Sequence, residues 1–147
     1  CFRITQSGRV RLESGGGSLR VTALRADFER ATGGRMPRHC LTLDLKDDRT
    51  AIAEYRRYHE KIWPEIKQSL FDAGVADMEI YLLGTRMFMI MEVGEHFSFS
   101  AKAAKDDANA RVQEWEALMA QFQQELPQSK PGQKWVVMEK VFDLASQ

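Results

Sequence analysis

Tyr55-Arg56-Arg57-Tyr58-His59-Glu60-Lys61-Ile62-Trp63-Pro64-Glu65 is the stretch on which the reading of this chain turns. With Ile52 before it and Ile66 and Leu70 beyond, it places Ile52, Tyr55, His59, Ile62, Ile66 and Leu70 along one stripe of a helix, facing the interior. One member of that apolar stripe is a histidine. Tyr55 and His59 stand four apart and are neighbours on the helix surface, with the indole of Trp63 one turn further on. Pro64 lacks a backbone donor and its ring crowds the carbonyl of Glu60, so the helix is expected to kink or restart there. Such a kink opens a mouth beside the imidazole.

Outward from this stretch the pattern is regular. Residues 39–45 alternate, with Leu41, Leu43 and Leu45 on one face, as in a strand covered on one side. Asp47 and Asp48 offer a cap for a long helix over 49–73, which Gly74 ends. Residues 77–83 and 86–93 are two alternating strands joined by Gly84-Thr85, an antiparallel hairpin. A helical region over 97–122 is broken near 106–109, where Asp107 or Asn109 caps the second piece. After the loop at 127–133, a last strand is expected over 134–144, apolar on both faces. The order strand, helix, strand, strand, helix, strand is the ferredoxin-like βαββαβ arrangement, an α+β fold. The surplus of apolar side chains on its strands, methionines included, predicts that a second copy covers the open face and that the chain is a homodimer.

The chain has 147 residues with a formal net charge of zero, enough to bury a core without staples and unlike a general nucleic-acid binder. The charge is uneven: residues 1–35 hold seven Lys/Arg and three Asp/Glu, a balance of +4, against −4 for the remainder. That first part, with Gly15-Gly16-Gly17, Gly33-Gly34 and one short helical pattern at 23–31, is expected to be a poorly ordered extension ahead of a natural start at Met36. The folded domain is then 36–147. Cys1 and Cys40 fit no redox or zinc spacing, which points to a reducing, cytoplasmic setting. No apolar run approaches the roughly 20 residues needed to cross a bilayer, so no membrane association is expected.

Chemistry concentrates at His59. An imidazole titrates near neutrality and serves either as an acid and base or as a buried, hydrogen-bonded core group. Tyr55 and Trp63 are pocket walls or core aromatics by the same logic. Glu92, Glu95 and His96 straddle a strand end without a fourth ligand, so a metal is not expected there. The glycine run lacks the lysine and strand of a phosphate loop.

The motif Tyr55-x-x-x-His59-x-x-Ile62-Trp63-Pro64-Glu65 resembles the L-rhamnose mutarotase family. The resemblance runs on through Met78-Glu79-Ile80-Tyr81, Met91-Glu92-Val93, Val112-Gln113-Glu114-Trp115-Glu116-Ala117-Leu118-Met119 and Val141-Phe142-Asp143-Leu144, over 38–144. It implies a dimeric α+β barrel that interconverts the anomers of 6-deoxy sugars at C1 without a cofactor. It also implies that His59 is the catalytic proton donor, Tyr55 a sugar-binding tyrosine and Trp115 the first of two adjacent pocket tryptophans. Glu116 stands where the second tryptophan would be, and Met78 where a further pocket tyrosine would be. A carboxylate accepts hydrogen bonds from hydroxyls where indoles stack on apolar sugar faces, so the expected substrate shifts from L-rhamnose toward L-fucose, the substrate of the family's L-fucose mutarotase branch. Two other readings follow from the same residues: a haem-binding or monooxygenase-type barrel with His59 on the iron, and a non-catalytic sugar-binding module.

Overall fold

The computed structural model describes Ala26 and residues 36–147. The expected extension, including its short helix at 23–31, lies outside the described residues except for Ala26, which is helical. The first strand, β1 (Arg38–Leu45), leads into α1 (Arg49–Glu60) and α2 (Pro64–Asp72). The hairpin β2 (Val75–Leu83) and β3 (Arg86–Val93) follows, then α3 (Phe99–Asp107) and α4 (Ala110–Ala120). Two short strands, β4 (Gln123–Gln124) and β5 (Val136–Val137), and a single 3-10 turn (Leu144–Ser146) complete the chain.

Local chemistry sets these boundaries. The Asp48 carboxylate accepts the backbone N–H of Thr50 at 2.7 Å and of Ala51 at 3.1 Å, capping α1. Asn109 does the same for α4 through Arg111 and Val112, and Ser98 for α3 through Ala101. The predicted kink is a full break: Lys61 and Trp63 are extended, and Pro64 opens α2 at a position where its missing N–H is harmless. Gly74, with φ of 90°, closes α2, and Gly84, with φ of 61°, takes the tight turn between β2 and β3.

The sheet is antiparallel, in the order β2-β3-β1-β4, with β5 also paired to β1. Leu43, Leu45 and Met87 on one face meet Tyr55, Ile66, Val112, Trp115 and Met119 from the helices in one buried cluster. Leu41, Val75, Met89, Met91 and Val93 form a second, and Ile80 and Trp135 pack against both. The opposite face presents Thr42, Phe88 and Ile90, half-buried, and the exposed Tyr81. This is the ferredoxin-like α+β arrangement expected, with each helix of the pattern split in two.

The last strand differs from expectation. Strand pairing covers Val136–Val137, opposite Thr42 and Leu41, and Met138 N–H extends it by one bond of 2.7 Å to the Cys40 carbonyl. An antiparallel partner advancing from there reaches Arg38, the start of β1, by residue 140, so the edge that β1 offers ends there. Val141, Phe142 and Leu144 are accordingly 90%, 65% and 75% exposed.

Candidate functional site

The α1 stripe delivers Tyr55 and His59 to one place. Their rings stack with centroids 4.1 Å apart and planes 26° from parallel. His59 Nδ1 lies 2.8 Å from the Tyr55 carbonyl oxygen. A carbonyl only accepts, so Nδ1 carries the proton and Nε2 keeps its lone pair. Burial holds the imidazole below its ordinary value, and the Tyr55 carbonyl offsets part of that fall. The ring is therefore neutral at neutral pH and half-buried rather than sealed.

Tyr55 itself is buried, at 5% exposure. That burial raises its phenol well above the usual range; the neighbouring Gln123 side chain holds some of the rise back and the charge of Glu116 adds to it. The phenol stays protonated across the physiological range and remains a donor. Glu116, on α4, is thus within electrostatic reach of Tyr55.

Trp115, one residue earlier on α4, sets its indole edge-on to His59 at 5.5 Å and 63°. Trp63, in the break between α1 and α2, meets Trp115 at 5.2 Å and 70°. The Arg111 guanidinium lies 4.3 Å over the Trp63 ring and pairs with Glu65 at 3.4 Å and with Glu114. Five of the six expected residues, Tyr55, His59, Trp63, Trp115 and Glu116, therefore form one neighbourhood. The sixth does not join it by contact: Met78 packs with the second core cluster, opposite Met91.

A cleft of about 510 Å³ lies elsewhere, between the start of α3 and the end of α2, with Met36, Gly74, Phe97 and Lys102 among its lining. None of the six expected residues lines it. Of the acids weighed for a metal, Glu92 is an ion-pair partner of Arg38 at 2.9 Å, and among the described residues no three His, Cys, Asp or Glu side chains converge on a point. Periodicity gave no sign of Gln123, Lys134 or Arg111 at the site. Each arrives through a contact between distant segments, which no local pattern encodes.

Comparison with known proteins bears on the family. A family model described as L-rhamnose mutarotase matches residues 38–144. An L-fucose mutarotase from Xanthomonas campestris pv. campestris is 47% identical over 112 residues, 75% of this chain and 90% of that protein. An L-rhamnose mutarotase from Jannaschia sp. is 33% identical over 96 residues, 63% of this chain and 86% of that protein. The crystal structure of L-rhamnose mutarotase from Formosa agariphila superposes with a TM-score of 0.55 at 23% identity, over 74% of this chain and 98% of that one, a likeness of fold. Over its described domain, the chain belongs to the L-rhamnose mutarotase family.

Proposed function

We propose that the protein is a mutarotase for a free 6-deoxy-L-hexose, acting on L-fucose in preference to L-rhamnose, with His59 as general acid and base and no cofactor. The observation that carries this reading is the bond from His59 Nδ1–H to the Tyr55 carbonyl, which leaves Nε2 as a neutral acceptor on a half-buried ring. In the forward direction Nε2 takes the proton of the anomeric hydroxyl, and the C1–O5 bond breaks with its electron pair passing to O5. O5 takes up a proton from the imidazolium, directly or through water, or from the Tyr55 hydroxyl, which is then reprotonated by the ring. Rotation about C1–C2 and reclosure on the other face give the second anomer. The acid role expected for His59 at the ring oxygen thus follows its role as base, since the resting ring is neutral.

Trp63 and Trp115 supply apolar walls for the sugar, as aromatic side chains commonly do. The preference for L-fucose is supported by Glu116 at the second tryptophan position and by the name of the Xanthomonas relative. The exposed Leu83, Val141 and Phe142 support a homodimer in which a second copy covers them. The free Cys40 thiol fits a reducing, cytoplasmic setting.

Exchange NMR on the anomeric protons of L-fucose and L-rhamnose tests the reading. Catalysed exchange is expected for both, faster for L-fucose; rates equal to buffer for both sugars would sink it.

A further inference from the structure

We propose that Lys134 is a positioning residue of the sugar site: it holds the Glu116 carboxylate on α4, next in sequence to Trp115, and the Lys134–Glu116 unit distinguishes one 6-deoxy-L-hexose from another by the placement of its hydroxyls. The inference rests on the mutarotase reading and deepens it.

Lys134 Nζ donates to two atoms of the same residue, the Glu116 carbonyl at 3.0 Å and Oε2 at 3.3 Å. This double hold comes from a segment 18 residues away in sequence. The carbonyl bond ties the ammonium to the α4 backbone, and the carboxylate bond then restricts the Glu116 rotamer. The lysine is itself anchored, because the next residue, Trp135, packs against both core clusters and Val136 continues into β5. Neither side chain is sealed: they are 30% and 47% exposed, the setting of a pocket rim rather than of a core ion pair.

Glu116 follows directly on Trp115, whose indole touches the His59 ring, and its charge reaches the Tyr55 phenol. With Oε2 engaged by Lys134, Oε1 has no hydrogen-bond donor among the described residues. It is the acceptor offered to a sugar hydroxyl. L-Fucose and L-rhamnose differ in configuration at C2 and C4, so an acceptor fixed in one place bonds a hydroxyl of one sugar and misses that of the other. Fixing the rotamer beforehand removes an ordering cost that binding would otherwise carry. A freely rotating glutamate would accept from either sugar and discriminate poorly.

The test compares KM and kcat for both sugars in the wild type, Lys134→Met, Lys134→Arg, Glu116→Gln and the double variant Glu116→Gln/Lys134→Met. The expected result for Lys134→Met is a KM for L-fucose raised about tenfold, the scale of one charge-assisted hydrogen bond, with kcat within about twofold. The KM for L-rhamnose should move much less, Lys134→Arg should restore most of the L-fucose KM, and the double variant should be no worse than Glu116→Gln. An unchanged KM overturns the proposal. So does an equal rise for both sugars accompanied by a lowered Tm, which marks a purely structural lysine. If Lys134→Met does not fold, Lys134→Gln is measured in its place with the same outcomes. A wild type that exchanges neither sugar overturns the mutarotase reading itself, a result separate from either.

Discussion

Replacing His59 by alanine separates catalysis from folding. The imidazole contributes a stack on Tyr55 at 4.1 Å and an edge contact with Trp115 at 5.5 Å. Each such aromatic pair is worth about 0.5–1.5 kcal/mol, so losing both destabilises by about 1–3 kcal/mol. The Nδ1 bond adds little, because its acceptor, the Tyr55 carbonyl, still receives the helical N–H from four residues on. Alanine's higher helix propensity returns about 0.5 kcal/mol. The net loss leaves the variant folded at 25 °C. Loss of general acid and base help is a different magnitude: about 10²-fold or more in rate, equivalent to at least about 2.7 kcal/mol of barrier. Saturation-transfer NMR on L-fucose at equal concentrations of folded protein reads that rate, and circular dichroism confirms the fold in the same sample. A folded His59→Ala protein exchanging anomers at the wild-type rate would refute the role assigned to this ring.

The remaining predictions concern pH, packing, specificity and assembly. Burial depresses His59 below its ordinary 6.5, so kcat/KM should hold through neutrality and fall only at more acid pH than a free imidazole would give. For stability the sign is fixed: the unfolded chain binds this proton first as pH drops, so stability is full above 6.5 and declines as pH falls through the folded-state value. Tm measured from about pH 8 to about pH 5 should show a decline that His59→Ala flattens. Leu43, at 0% exposure in the cluster under Tyr55, should cost about 3–5 kcal/mol as Leu43→Ala, read as a lower urea midpoint with unchanged slope. Glu116→Trp should move the L-rhamnose to L-fucose ratio of kcat/KM about tenfold toward L-rhamnose; a ratio that stays put would free Glu116 of any part in selection. Sedimentation should show two chains per particle, with Phe142→Glu shifting it toward one; a wild type that sediments as a single chain contradicts the dimer.

Much of the fold is legible because its signals are local. Asp48 and Asn109 cap the helices, Gly74 ends one and Gly84 turns the hairpin, and the alternation in β1 and β3 places Leu43, Leu45, Met87 and Met91 inside. Alternation over 134–144 overstates the final strand because it reports what a segment is suited to bury, while pairing needs a neighbouring edge. Strand pairing stops at Val137, and beyond residue 140 the edge of β1 runs out. Gln123–Gln124, a two-residue strand beside Asp44 and Leu45, carries no periodic signature at all. At the site, Tyr55, His59 and Trp63 share the register of a single motif, and Trp115 and Glu116 came from the family resemblance. Lys134 was invisible because its role depends on a meeting of α4 with the segment before β5, which is a property of tertiary structure.

The interruption at 61–63 divides what could have been one long rod into two independently seated cylinders, with Trp63 riding in the joint. In extended backbone successive side chains point to opposite sides, so lengthening or shortening the joint by one residue would leave both cylinders intact and still re-aim the indole. The spacing between His59 and Pro64 therefore acts as an angular setting for the aromatic wall, one that composition alone would never reveal.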